Sequence, residues 1–170
     1  MNETLRDTLN RLLAALDELD RLYRALHEVL ESERTALTAA CLADFLVVSE
    51  RKEALLNRLK ELDACRVRQT DQLAAAFDLP PTHTDISRLA GHLPPAEAGW
   101  LRARGERLTA TLAPIGDLNG ANRELMEAFR GFAENALQML QGLKRPASTY
   151  HRNARMRSAS RGGALLVNEV

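Results

Sequence analysis

The chain has 170 residues, of which 27% are charged, with equal numbers of basic and acidic groups, and only 4% are aromatic. That length suffices for one domain with a core and is too short for two substantial ones. A composition dominated by Leu, Ala, Arg and Glu is that of a helical bundle or coiled coil and argues against a sheet protein. The start, Met1-Asn2-Glu3, has no basic region followed by an apolar run, and no window holds about 18 uninterrupted apolar residues, so neither a signal peptide nor stable membrane insertion is expected.

The first element is a helix over residues 3–39. Its stripe runs Leu5, Leu9, Leu12, Leu16, Leu19, Tyr23, Leu26, Leu30, Glu33, Leu37, in steps of three and four, the spacing of a coiled coil. Only Glu33 violates it. A weak stretch, Thr38 to Leu42, marks a turn, and a second helix over 42–77 follows with the stripe Phe45, Val48, Lys52, Leu55, Leu59, Leu62, Arg66, Gln69, Leu73, Ala76. Lys52 is its first intruder. If the chain reverses at the turn, the stripes pair antiparallel with position numbers summing to about 85, which sets Leu30 against Leu55, Leu26 against Leu59 and Glu33 against Lys52. Such a pair adds little net stability but fixes register, because a slip leaves a charge buried alone at a cost of about 3–5 kcal/mol. Cys41 and Cys65, both on or next to this helix, would be roughly 36 Å apart along it, too far for a disulfide, and are read as inert thiols.

Asp78-Leu79-Pro80-Pro81 ends the second helix. In the connector, Thr84 or Asp85 caps a short helix over 85–92 whose Ile86, Leu89, Ala90 and Leu93 close one end of the bundle. Pro94 and Pro95 then open a long helix over 95–143, bent at Pro114, to which the earlier stripes are patterned to pack. Its own stripe is Leu101, Leu108, Leu112, Ile115, Met126, Phe129, Ala133, Ala136, Leu140 and Leu143, with Asn119 and Asn122 in between as polar members of the seam, placed to satisfy the Glu33–Lys52 pair if the helix docks at that level. Phe129 and Phe132 straddle the stripe, so one is expected in the core and the other on the surface. Because the other stripes are consumed by the hairpin, Phe129, Phe132 and Met139 are the expected partner surface.

The fold expected is thus all-α: an elongated antiparallel bundle of three long helices plus a connector helix over residues 1–143, followed by a mobile basic tail, 144–170. The tail holds Lys144, Arg145, Arg152, Arg155, Arg157 and Arg161 against Glu169 alone, a surplus of five positive charges, so residues 1–143 carry a surplus of five negative ones. An acidic body suits nucleic acid poorly. Tyr150, Met156, Leu165, Leu166 and Val167 are apolar groups that a purely solvated tail does not need, and they point to folding on a partner.

No catalytic, metal or cofactor chemistry emerges. His27 invites comparison with a phosphotransfer bundle, but Glu28-Val29-Leu30-Glu31 follows it and no Lys and Gly shape an acceptor site. Glu-x-x-His pairs of a di-iron bundle are missing from the sequence, and Gly162-Gly163 lacks the strand and lysine of a phosphate loop.

Glu33-Arg-Thr-Ala-Leu37, Lys52-Glu-Ala-Leu55-Leu56-Asn-Arg-Leu59, Arg66, Asn119-Gly-Ala-Asn122-Arg-Glu-Leu125 and a tail opening on Tyr150 together resemble the FlgN family of flagellar type III export chaperones. The similarity spans almost the whole chain. Two positions depart from the pattern: Cys41 stands at a turn where Asp is typical, and His151 follows Tyr150 where Gly is usual. The resemblance implies a non-enzymatic cytoplasmic protein that binds hook-associated proteins of the hook–filament junction, keeps them unassembled, and delivers them to the export gate and ATPase-complex components, with Tyr150 touching the gate. The alternatives are a coiled-coil adaptor with no export role and a histidine phosphotransfer bundle on His27.

Overall fold

A computed structural model describes residues 3–80 and 85–143. Among these residues four helices follow in chain order: α1, Glu3–Thr38; α2, Leu42–Ala76; α3, Ile86–Ala90; and α4, Pro95–Leu143. Contacts divide the chain into two units, residues 1–130 and 131–170. The bundle core lies in the first, and α4 supplies residues to both. No strand occurs among the described residues.

Both long helices of the hairpin stop by the same device. At the end of α1, Cys41 N donates to Ala36 O and Ala40 N donates to Leu37 O, with Ala40 in the left-handed region at φ 51°. At the end of α2, Leu79 N donates to Ala74 O and Asp78 N to Ala75 O, with Asp78 at φ 54°. These are the paired bonds of a Schellman motif, built here on non-glycine residues. Asp tolerates that conformation through its short polar side chain, whereas Ala40 bears the full Cβ penalty. Cys41 then sits at the N-cap of α2 and makes no side-chain capping bond, so the departure from Asp at this turn leaves the start of α2 uncapped from the side. Of the two residues proposed to cap the connector helix, Asp85 does so, its carboxylate accepting from Arg88 N at 2.6 Å.

α1 and α2 are antiparallel, with Glu33 opposite Lys52. α1 and α4 are parallel: Asp17 meets Arg104, Asp20 meets Thr111 and Leu30 meets Asn122, at sequence separations of 87, 91 and 92. α3 makes this possible by carrying the chain across the end of the hairpin. Its Leu89 and Ala90, with Leu93, pack among Leu9, Leu12, Leu73 and Leu101 to seal that end. A second apolar cluster, Leu19, Leu22, Leu26, Leu30, Leu59 and Ile115, fills the middle.

The element at the centre is α1, contrary to the expectation that the others organise around the late helix. Among the described residues, fourteen of α1 are buried, against Ala98, Leu101, Ile115 and Asn122 of α4. Besides its leading stripe, α1 buries a second row one heptad apart, Ala15, Leu22, Val29 and Ala36. A helix with two adjacent apolar rows packs against two neighbours, whereas α4 has one row facing the hairpin. α4 runs unbroken through Pro114. Beyond Asn122 its apolar stripe does not form a core: Met126, Phe129, Ala133 and Leu140 are exposed. On α2, Ala76 is exposed while Thr70 and Ala74 are buried, because the α-helical repeat drifts off a strict heptad by the last turns.

Candidate functional site

Lys52 Nζ donates to both carboxylate oxygens of Glu33, at 3.0 and 2.9 Å, and to Asn119 Oδ1 at 3.2 Å. Asn122 Nδ2 donates to Glu33 Oε2 at 2.9 Å and to Leu30 O at 2.8 Å. All four polar residues expected in the seam therefore join one network. They do so unequally. Glu33 and Asn122 are 2% and 1% exposed, Lys52 is half-buried and Asn119 is exposed. The amide orientation of Asn122 is forced, since its two neighbours are acceptors and only its NH2 group can meet them. That leaves Asn122 Oδ1 buried with no partner among the described residues, a price paid for reading the α1 backbone and the ion pair at once. The network fixes how far α4 has advanced along the hairpin, the level that sequence could not give.

Two further rungs tie α4 to α1, and sequence reasoning missed both. Arg104 Nε donates to Asp17 Oδ2 at 2.9 Å, and Thr111 Oγ1 donates to Asp20 Oδ1 at 2.6 Å. Asp17 and Asp20 lie beside the leading stripe of α1, so nothing in a single-stripe reading marks them. Tyr23 packs against the central cluster; its burial, and then the Asp63 carboxylate, hold its phenol above the usual value, with Arg66 opposing.

An apolar pocket of about 280 Å³ opens at the hairpin end, lined by Ala36, Leu37, Ala40, Cys41, Leu42, Phe45, Met126 and Phe129. It exists because α1 stops at Thr38, so the α4 turn carrying Met126 and Phe129 meets only the last turn of α1 and the first of α2. Neither phenylalanine of the expected core-and-surface pair is core: Phe129 is 38% exposed and Phe132 74%. Leu42, Leu46 and Val47 at the start of α2 are also exposed, so the hairpin does not consume all the apolar side chains of the first two helices. In the second unit, Phe132, Leu137, Met139 and Leu140 are exposed along α4. Tyr150, Leu165, Leu166 and Val167 lie outside the described residues.

A model of the family described as FlgN protein matches residues 1–158. The chain belongs to the FlgN family. Membership makes it a flagellar export chaperone, and the polar network and pocket are features of this FlgN-family chain. No curated protein and no solved structure matches it. Among the described residues of this FlgN-family protein, no helix is long and apolar enough to cross a membrane and no cluster of three or more His, Cys, Asp or Glu could hold a metal ion. His27 Nδ1 lies 4.0 Å from Glu31 Oε1 on the same helix, a carboxylate that would repel an incoming phosphoryl group. Cys41 and Cys65 are free thiols.

Proposed function

We propose that the chain is a non-enzymatic cytoplasmic chaperone for hook-associated proteins, which it keeps unassembled and passes to the export gate and ATPase-complex components. The observation that carries this reading is the apolar pocket at the hairpin end, bordered by Leu42, Met126 and Phe129. An apolar recess rimmed by exposed leucine and phenylalanine marks a surface that a partner covers. A client whose terminal helices assemble only in the finished structure presents a matching apolar stripe, and helix-in-groove packing covers both. Family membership supports the export role, and the pocket supports the client's chemistry.

In this reading Phe129 in the first unit, and Phe132 and Met139 in the second, are separate client contacts. Leu165, Leu166 and Val167 add to client cover, Tyr150 contacts the gate, and residues 144–170 act as an element distinct from the bundle of residues 1–143. The test is Phe129→Asp measured against purified hook-associated protein. Truncation or charging of a central aromatic anchor costs about 2 kcal/mol or more, so binding is expected to weaken about thirtyfold while the melting temperature stays near that of the parent. A Phe129→Asp chain that binds all hook-associated proteins as tightly as the parent refutes the pocket's role. Tyr150→Ala is expected to lower binding to the gate's soluble portion and leave client binding intact; the reverse pattern refutes the assignment of the tail.

A further inference from the structure

Away from the pocket, the α1–α4 groove carries a group of arginines whose sign runs against the rest of the bundle. Residues 1–143 hold a surplus of five negative charges. Yet a concavity of about 430 Å³ between α1 and α4 is lined by Arg21, Arg24, Arg104 and Arg107 over Asp17 and Asp20; with Glu18, the partner of Arg21, counted among the acids, the four arginines keep a local surplus of one positive charge. The adjoining hollow, which shares Asp17 and Arg104, is bordered by Trp100, the single tryptophan of the chain, 53% exposed.

The arginines are braced from below. Arg104 Nε donates to Asp17 Oδ2 and its Nη1 to Trp100 O, at 2.9 and 3.3 Å. Arg24 Nη2 is 3.0 Å from Asp20 Oδ2, Arg21 Nη2 is 3.1 Å from Glu18 Oε2, and Arg107 Nη2 is 3.9 Å from Asp17 Oδ1. Asp20 is itself fixed by Thr111 at 2.6 Å. Each guanidinium has five N–H donors in a rigid fork, and these contacts use at most two of them, none on Arg107, whose carboxylate partner lies beyond hydrogen-bond distance. The side chains of Arg21, Arg24 and Arg107 remain 71%, 61% and 49% exposed. The result is a set of partly oriented cations with donors left for planar, bidentate recognition, next to the residue type that most often anchors an interface.

We propose that this groove docks an acidic segment of another protein, its carboxylates on Arg21, Arg24 and Arg107 and an apolar side chain on Trp100. Charge complementarity selects that occupant. The chain's own residues 144–170 carry a surplus of five positive charges and are repelled from it. The surface is separate from the apolar pocket and takes a partner of opposite chemistry, so it stands whether or not the pocket holds a client.

Trp100 makes the test direct, because all tryptophan emission of the full chain comes from this groove. A synthetic helical peptide rich in Glu and Leu is titrated into the protein, alongside the same peptide with Gln for Glu and a single-stranded RNA of equal length. The expected result is a saturable shift in Trp100 emission with the Glu peptide alone, weakened about tenfold by R21Q/R107Q and by high salt. The control K60Q/R68Q, which removes the same charge from α2, is expected to leave the titration unchanged. R21Q alone, whose Glu18 pair lies within α1, gives a second reading that leaves the α1–α4 rungs intact. The proposal is overturned by no saturable shift, by R21Q and R21Q/R107Q binding as the parent does, or by equal binding of the Gln peptide. It is equally overturned by RNA that binds as tightly as the Glu peptide, or by a shift that appears on raising protein concentration alone, which would make a second copy the occupant.

Discussion

Replacing Lys52 by Met removes the cation and leaves Glu33 as a carboxylate only 2% exposed with a single remaining donor among the described residues, Asn122 Nδ2. Breaking a buried pair from one side costs about 3–5 kcal/mol, because the surviving charge stays desolvated. For a chain of this size each kcal/mol lowers the melting temperature by about 2–4 °C, so the Lys52→Met variant is expected to melt roughly 6–20 °C below the parent. Removing both charges, as Glu33→Leu with Lys52→Met, takes away the uncompensated carboxylate and lets two apolar side chains meet between Leu30 and Leu37. Asn122 Nδ2 keeps its bond to Leu30 O, so the double variant is expected to lie within about 1–2 kcal/mol of the parent. Even with no loss assigned to Glu33→Leu alone, the coupling between the two sites is then about 1–4 kcal/mol, which spans and exceeds the upper part of what neighbouring residues show. Urea unfolding followed by circular dichroism at constant pH measures all four corners of the cycle. Losses that simply add in the double variant would refute the claim that the pair is a register device in a desolvated seam.

Asn122→Asp keeps the shape but sets a second carboxylate within hydrogen-bonding distance of Glu33; a loss of about 3 kcal/mol or more is expected in the same urea assay, and an unchanged midpoint would mean the seam is wet. Ala40→Gly relieves the left-handed Cβ penalty at the end of α1 and is expected to stabilise by about 1 kcal/mol, read as a raised urea midpoint at constant m-value. Tyr23 has a folded pKa raised above 10.0 by burial first and by Asp63 second. The native state thus holds the phenol proton more tightly than the unfolded chain does, so this contribution to stability is whole below about pH 10 and is lost as pH rises through the folded value. Tyr23→Phe is expected to flatten the fall in melting temperature above that pH, and parallel curves would refute it.

Helix limits were legible to within two residues wherever a turn residue or proline forces the end, as at Pro95 and at the Thr38–Leu42 reversal. The meeting of Glu33 and Lys52 was legible for a different reason: each is the first charge on an otherwise apolar stripe, and an antiparallel register leaves one arrangement in which both are compensated. Asn119 and Asn122 read alike, since both occupy the seam by count. They differ in the fold because three residues advance about 300° around an α-helix, enough to turn Asn119 to the rim, where it only accepts from Lys52, while Asn122 reaches the α1 backbone.

What stayed hidden follows from reading each helix as one stripe. Ala15, Leu22, Val29 and Ala36 form a heptad row in plain view, but alanine and valine beside a leucine stripe carry little contrast, and only a helix packed on two sides uses them. Once α1 takes that place, the rest is geometry. α2 and α4 flank it in opposite directions, α3 must cross the end, and Asp17 and Asp20 fall on the α1 face turned toward α4, where they select Arg104 and Thr111 as rungs. The same ordering sets both exposed surfaces. α1 ends at Thr38 while α4 continues, so the α4 turn at Met126 and Phe129 runs out of α1 to pack against, and the apolar pocket opens there. Along the middle, the rungs that hold α4 in register also hold guanidiniums over the groove. Fixing the central helix therefore fixes where the bundle is apolar and uncovered and where it is basic and braced.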